Sequence, residues 1–322
     1  MRTITLEEHF MTSEVLKATS AFRNTDPTAG YRELIEEKLL DLGDCRIADM
    51  DASGIDMQVL SLAVCGVEKL APAEATAIAR DTNDRLAAAT RMRSDRLAGF
   101  ATLALRDPEK AAAEFERCVT KLEFKGALVN GTTDGLFLDH PRFTPLFEAA
   151  QALDAPIYLH PGPPPDTVRD AYYEGLPRSL GDVLSTGGWG WHVETGLHSL
   201  RLIASGLFDR VPRLKIIIGH MGENLPFSIA RAESGLSRGT THLKRKVGEY
   251  FREHFYVTTS GYFTLPPFAC ALQVVGADRL LFSVDYPFAS NAVGREFLDS
   301  LPVTPDEMKK ISHRNAERLL KV

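Results

Sequence analysis

The chain of 322 residues and 35.5 kDa exceeds one minimal domain, yet it stays within what a single large α/β barrel fills. Hydrophobic residues make up 44% and charged residues 25%, with 24 Gly and 18 Pro scattered along the chain, which excludes disorder, collagen and coiled coil. Thirty-seven Lys and Arg against 43 Asp and Glu leave a net charge of −6, so neither a nucleic-acid backbone nor an anionic membrane is an expected partner.

The first residues, Met1 to His9, place Glu7, Glu8 and His9 where a signal peptide needs an apolar core, and no apolar run approaches the roughly 20 residues of a membrane span. Cys45, Cys65, Cys118 and Cys270 are spaced too widely and irregularly for a zinc ribbon or a disulfide framework, so reduced thiols are expected. A cytoplasmic protein is the resulting expectation.

Short β-branched or apolar runs recur in chain order: Thr3 to Leu6, Met57 to Leu62, Leu97 to Thr102, Gly126 to Val129, Pro156 to Leu159, Leu214 to Ile218, Tyr256 to Thr259, and Leu280 to Val284. Each is followed by a longer stretch of helical periodicity, the pattern of parallel strands with crossover helices. Asp107-Pro108-Glu109 supplies an N-cap and a proline at the first helical position of a segment to Leu122. Thr304-Pro305-Asp306-Glu307 predicts a capping box opening a last helix to about Leu320. Residues 10 to 30 and 161 to 190 break the repeat and are expected as long connections over the barrel mouth, with Trp189 and Trp191 giving the second something to bury. The run Lys244-Arg245-Lys246 reads as a solvated helix face.

Eight strand and helix units in one uninterrupted domain, residues 1–322, fit a (β/α)8 TIM barrel, with an open doubly wound sheet as the alternative. The polar residues favour the barrel. Glu7 and His9 follow the first run, His160 ends the fifth, His220 the sixth, Ser260 the seventh and Asp285 the eighth; such groups meet at one mouth only if the sheet closes. If the first strand continues to His9, Glu7 and His9 share one face and Glu8 takes the other. Closure sets Asp285 beside Glu7, with His160 and His220 reaching in, a mixed oxygen and nitrogen cage suited to a metal.

Leu6-Glu7-Glu8-His9-Phe10, Gly126-Ala127-Leu128-Val129-Asn130-Gly131, Tyr158-Leu159-His160-Pro161, Gly219-His220-Met221-Gly222-Glu223, Thr258-Thr259-Ser260-Gly261, Phe282-Ser283-Val284-Asp285-Tyr286-Pro287-Phe288 and Arg314-Asn315-Ala316 stand in an order and spacing that resembles the amidohydrolase superfamily. Within it, the chain is similar over nearly its whole length to the metal-dependent benzoate decarboxylases, such as γ-resorcylate, 2,3-dihydroxybenzoate and 5-carboxyvanillate decarboxylases. The resemblance implies that Glu7, His9, His160 and Asp285 ligate one divalent metal ion. Hydrolytic relatives usually open with a His-x-His pair, whereas Glu7-Glu8-His9 resembles the Glu-x-His form of the decarboxylase branch. The added carboxylate makes a harder site, suited to Mn²⁺, which the resemblance favours, or Mg²⁺, alongside Zn²⁺.

The implied reaction is non-oxidative decarboxylation of an ortho-hydroxybenzoate, reversible in principle. Direct loss of CO₂ would leave an unstabilised aryl anion, and the sequence carries no PLP or thiamine motif, so the ring must be the electron sink. Protonation of the carboxylated carbon, with Asp285 as the implied acid, gives a dearomatised intermediate that regains aromaticity on releasing CO₂. His220 is implied as a substrate-facing acid/base or carboxylate-binding group, with a further metal ligand as its alternative role, and Glu223 as the partner that orients it. Arg231, Phe22 and Phe288 match family positions near the substrate ring. Homodimers or homotetramers are expected on the same resemblance. Glu194 and His198 could form a helical ligand pair but are expected to bond each other or nearby backbone, and His140, His242, His254, His313 and Cys65 carry no assigned role. A metal-dependent lactone or amide hydrolase, with Asp285 as base, is the second reading, and a non-catalytic binding protein on an inherited barrel the third.

Overall fold

In a computed structural model that describes residues 1–23 and 29–322, with the side chains of residues 22, 23, 29–32, 34, 178 and 179 outside the description, the expected runs form parallel strands. They are β1 (Ile4–Phe10), β2 (Met57–Leu62), β3 (Leu97–Gly99), β4 (Ala101–Thr102), β5 (Ala127–Asn130), β6 (Ile157–His160), β7 (Ile216–Ile218), β8 (Phe255–Thr258) and β9 (Leu280–Leu281). They pair in sequence order, β1-β2-β3 in one ladder and β4 through β9 in another. β3 and β4 are halves of one expected run, parted at Phe100, whose N–H donates to Leu60 at 2.8 Å while the next amide, Ala101, turns to Gly126 at 2.9 Å.

Alternate residues of these strands enclose a separate core cluster. Ile4, Leu6, Met57, Val59, Phe100, Leu128, Tyr158, Ile217, Tyr256 and Leu281 pack together, and Ala316, Leu319 and Leu320 of the terminal helix join them. A larger core lies between the strands and the helices outside them, where Phe115, Phe147 and Phe251 are buried. Two cores, one inside the strand layer and one outside it, are the architecture of a TIM barrel.

No ladder joins β1 to β9 among the described residues. Their link is made of side chains and one backbone bond. Ser283 Oγ accepts from the amides of Leu6 and Glu7 at 3.0 and 2.7 Å, and His9 N–H donates to Tyr286 O at 2.6 Å. The fully buried Glu8 carboxylate accepts from Ser283 Oγ, Val284 N and Tyr286 N at 3.0–3.1 Å. Burial pushes the Glu8 carboxyl up to about 7, against the pull of those amides.

The expected helix starts are present. Asp107 accepts from Lys110 N at the head of Pro108–Lys121, and Thr304 with Glu307 forms a reciprocal capping box. The chain then stays helical to Leu320 through a wider π turn at Lys310–Arg314. Three expectations need correction. β1 runs on to Phe10, so Glu7 and His9 lie in the strand rather than after it. The two connections over the mouth are largely helical, with Ser13–Arg23 and Ala29–Leu40 around the first and Asp166–Tyr173 and Arg178–Ser185 in the second, while Trp189 stays about half exposed. Lys244 to Lys246 form a turn before the helix Val247–His254, where Arg245 covers the Tyr250 ring.

His198, on the helix Gly190–Ala204, is buried against Phe137 and accepts a 2.8 Å hydrogen bond from Leu138 N through Nε2. Burial holds its pKa down at about 3, so between about 3 and 6.5 the folded chain binds fewer protons here than the unfolded chain. Stability is therefore expected to fall as pH drops from 6.5 towards 3. His198→Gln, whose amide oxygen can still accept from Leu138, should reduce the slope of unfolding free energy against pH by about one proton, read from denaturant titrations across that range.

Candidate metal and catalytic site

The register of β1 slips by one residue between Thr5 and Glu8, and past that irregularity Glu7 and His9, two residues apart, come to the same site, both buried. Tyr158 of β6, Thr258 of β8 and Ser260 beyond it place three hydroxyls on one oxygen of Glu7, Oε2; the Thr258 bond is 3.1 Å. The other oxygen, Oε1, has no hydrogen-bond partner and lies 3.3 Å from His160 Nε2 and 3.7 Å from His220 Nε2. Gly219 makes this placement possible, because a Cβ there would stand 2.6 Å from Glu7 Oε2.

His160 ends β6 and bonds the Pro161 carbonyl through Nδ1 at 2.8 Å, which leaves the Nε2 lone pair facing Glu7. Burial, reinforced by His9 and His220, pushes its pKa down to about 3 and keeps the ring neutral, the form a metal ligand requires. His9 Nδ1 lies 3.3 Å from Ser61 Oγ, and its buried Nε2 has no hydrogen-bond partner although Asp285 Oδ1 is 3.2 Å away. One ligand atom each from Glu7, His9 and His160 lie within 4.8 Å of one another. Burial, with Asp285 adding to it, pushes the Glu7 carboxyl above the ordinary range against the opposing pull of His220, Ser260 and Tyr158. Buried oxygen and nitrogen atoms that converge while Glu7 Oε1 and His9 Nε2 have no hydrogen-bond partner fit a divalent cation.

Asp285 follows β9 in the left-handed region, φ 75°, and abuts this group from the side of His9. Burial would raise its carboxyl, but His220 and His9 outweigh burial and hold it well below the ordinary range.

After β7 the chain makes a left-handed turn over His220, Met221, Gly222, Glu223 and Asn224, with φ of 50°, 56°, 86°, 53° and 64°. For non-glycine residues this costs on the order of 1–2 kcal/mol each, and it aims two side chains. His220 Nε2 faces Glu7 and, at 3.8 Å, Asp285 Oδ2; its Nδ1 bonds Glu223 Oε1 at 2.7 Å. Glu223 Oε2 takes a second ring, His192 Nδ1, also at 2.7 Å, and His192 Nε2 reaches Gly187 O at 3.1 Å. Burial opposes charge at both His220 and Glu223. Glu7 and Glu223 nevertheless hold His220 well above its ordinary pKa, and His220 with His192 holds Glu223 below the usual carboxylate range.

A cavity of about 330 Å³ opens at this group, lined by His9, His160, His220 and Asp285 together with Trp191, Tyr262 and Phe288. Its size and lining suit a small aromatic ligand. Phe288 meets the His9 ring edge-on at 5.5 Å.

Glu7, His9, His160, His220, Glu223, Asp285 and Phe288 are thus assembled in one place. Arg231 is not. It is exposed on Leu225–Leu236, because that helix turns Leu225, Pro226 and Ile229 inward and residue 231 falls about 200° around from Ile229. Phe22 lies on Ser13–Arg23, but its side chain is outside the described residues. His140, His242, His254 and His313 bond neighbours elsewhere, and Cys65 forms no disulfide. Sequence reasoning missed His192, Tyr158 and Thr258. The last two carried a usable signal, since each stands two residues before an expected site residue and so shares its face.

Residues 41–322 match the amidohydrolase family. γ-Resorcylate decarboxylase of Polaromonas sp. strain JS666 is 41% identical, with 99% of this chain and 98% of that protein aligned. Among solved structures, 2,6-dihydroxybenzoate decarboxylase complexed with 2,6-dihydroxybenzoate superposes with a TM-score of 0.91 at 38% identity over 100% of both chains. 5-Carboxyvanillate decarboxylase from Novosphingobium aromaticivorans, complexed with manganese and 4-hydroxy-3-methoxy-5-nitrobenzoic acid, does so with a TM-score of 0.92 at 34% identity over 100% of this chain and 96% of the other. With the barrel, the converging ligand atoms and these similarities in hand, the chain belongs to the amidohydrolase family.

Proposed function

We propose that this chain is a metal-dependent carboxy-lyase that removes CO₂ from an ortho-hydroxybenzoate of the resorcylate or dihydroxybenzoate type. The observation that carries this reading is the set of unpartnered, buried ligand atoms of Glu7 and His9 beside His160, with the Asp285 carboxylate at its edge and an aromatic-walled cavity above. Glu7, His9, His160 and Asp285 are the residues we assign to the ion, and manganese, present in the carboxyvanillate decarboxylase structure, is the metal we assign. When bound, the ion supplies positive charge to the substrate's carboxylate and phenol oxygens.

The side chains divide the remaining work. Asp285 is held ionised by His9 and His220, so it takes a proton before it gives one. The ortho hydroxyl of the substrate is the source, and the carboxylated ring carbon is the destination. The resulting dienone carries hydrogen and carboxylate on one tetrahedral carbon; breaking the bond to CO₂ returns the electron pair to the ring and leaves the phenolate. His220, whose pKa Glu7 and Glu223 raise well above its ordinary value against burial, is the group we assign to the substrate carboxylate, while Glu223 and His192 fix its ring. Phe288 and Tyr262 bound the ring and limit water.

Two further assignments belong to this reading. Tyr172, Leu176, Leu180, Val183, Trp189, Val193 and Leu197 are exposed within one stretch near the mouth, which supports a homodimer or homotetramer that covers them. Four cysteines, none in a disulfide, support a reducing, cytoplasmic setting; among the described residues no helix is long and apolar enough to cross a membrane.

Manganese-loaded protein should release CO₂ from members of a panel of ortho-hydroxybenzoates; turnover of lactones with no CO₂ from any acid would move the assignment to the hydrolases. Glu7→Ala, His160→Ala and Gly219→Ala should each bring bound manganese to background by elemental analysis, the last because its Cβ displaces the Glu7 carboxylate. Asp285→Asn should keep the fold by circular dichroism and lose about 10²–10⁴-fold in kcat. Light scattering should give twice or four times the chain mass.

A further inference from the structure

Glu8 lies between two assigned metal ligands in sequence and turns away from both. It is fully buried, and each of its oxygens is committed: Oε1 accepts from Ser283 Oγ at 3.1 Å and Val284 N at 3.0 Å, and Oε2 accepts from Tyr286 N at 3.0 Å. Those two amides flank Asp285. Between them Asp285 adopts φ 75°, a conformation disfavoured for any residue with a Cβ, which persists only where its surroundings impose it. The carboxylate that grips both sides of this residue comes from the strand that carries Glu7 and His9. No β1–β9 ladder joins the two segments among the described residues; besides Glu8, only His9 N–H on Tyr286 O at 2.6 Å and Ser283 Oγ under the amides of Leu6 and Glu7 tie them, and neither bonds the two amides that flank Asp285.

We propose that Glu8 is a positioning residue: by holding the amides of Val284 and Tyr286 it fixes the strained backbone of Asp285, and so aims the Asp285 carboxylate at the space shared with Glu7 and His9. The inference rests on the proposed role of Asp285 but concerns geometry that can be read without turnover. A carboxylate is required because all three partners donate. Glutamine offers one accepting oxygen, and its amide nitrogen would face the N–H of Val284 or Tyr286 as a second donor.

The test uses the full chain loaded with Co²⁺, whose visible spectrum reports ligand arrangement, and with Mn²⁺ for affinity and turnover. Glu8→Gln should alter the cobalt spectrum, weaken Mn²⁺ binding about tenfold and lower kcat about 100-fold with little change in KM, the loss associated with a displacement near 1 Å. In an Asp285→Asn background, the same substitution should change kcat no further, because the group it positions is gone. A folded Glu8→Gln protein with an unaltered cobalt spectrum and unaltered Mn²⁺ affinity would overturn the proposal, as would a 100-fold loss repeated in full on top of Asp285→Asn. If Glu8→Gln does not fold, Glu8→Asp, which keeps both oxygens on a stem one methylene shorter, is read by the same spectral criterion. Absence of decarboxylation in the wild-type chain would count against the proposed function while leaving the cobalt and affinity comparison decisive for Glu8.

Discussion

A carboxylate with no exposure to water, one oxygen crowded by hydroxyls and the other bare, is the constraint around which this molecule is arranged. Removing such a charge from water is costly unless an opposite charge replaces the lost hydration. Among the described residues no lysine or arginine pairs with Glu7. The fold offers imidazole nitrogens from His9 and His160, with the His220 ring 3.7 Å from the bare oxygen; that oxygen and His9 Nε2 still lack a hydrogen-bond partner, an arrangement suited to a cation from outside the chain. The hydroxyls of Tyr158, Thr258 and Ser260 fix which Glu7 oxygen remains bare, and Gly219 leaves the carboxylate room.

Around that centre sits a second, self-contained polar group. Glu223 is shared by His220 and His192, so both oxygens of its carboxylate accept within the chain. His192, Glu223 and His220 are also close enough together to suggest a second metal site, but their atoms already satisfy one another, unlike those of Glu7 and His9. Satisfaction separates the two clusters: one has its partners, and the other lacks them. The His220 ring is thereby held beside the group formed by Glu7, His9 and His160, its Nε2 3.7 Å from Glu7 Oε1.

Much of this was legible in the sequence because strand ends are local signals. A spacing of two put Glu7 and His9 on one face, although the register shift between Thr5 and Glu8 that breaks the alternation begun by Ile4 and Leu6 was not legible, and polar residues ending apolar runs marked His160, His220 and Asp285. Proline-headed caps marked the helices at Pro108 and Pro305. What stayed hidden depended on contacts between distant segments. His192 sits inside an ordinary helix and acquires meaning only when the turn after β7 delivers Glu223 to it. Glu8 looked like the outward residue of an alternating strand, and its importance comes from Ser283 to Tyr286 arriving 275 or more residues later. Arg231 shows the converse: a matching position in sequence, yet a helix whose buried stripe leaves it in solvent.

The left-handed turn from His220 to Asn224 has an evolutionary corollary. Glycine at Met221 or Asn224 would relieve the backbone locally, and by that measure the native residues are poor choices. The same relief would let the loop wander, loosening the aim of the imidazole at its head. Selection for a sturdier fold and selection for a well-directed histidine therefore pull this segment in opposite directions, and the side chains found there record which pressure prevailed.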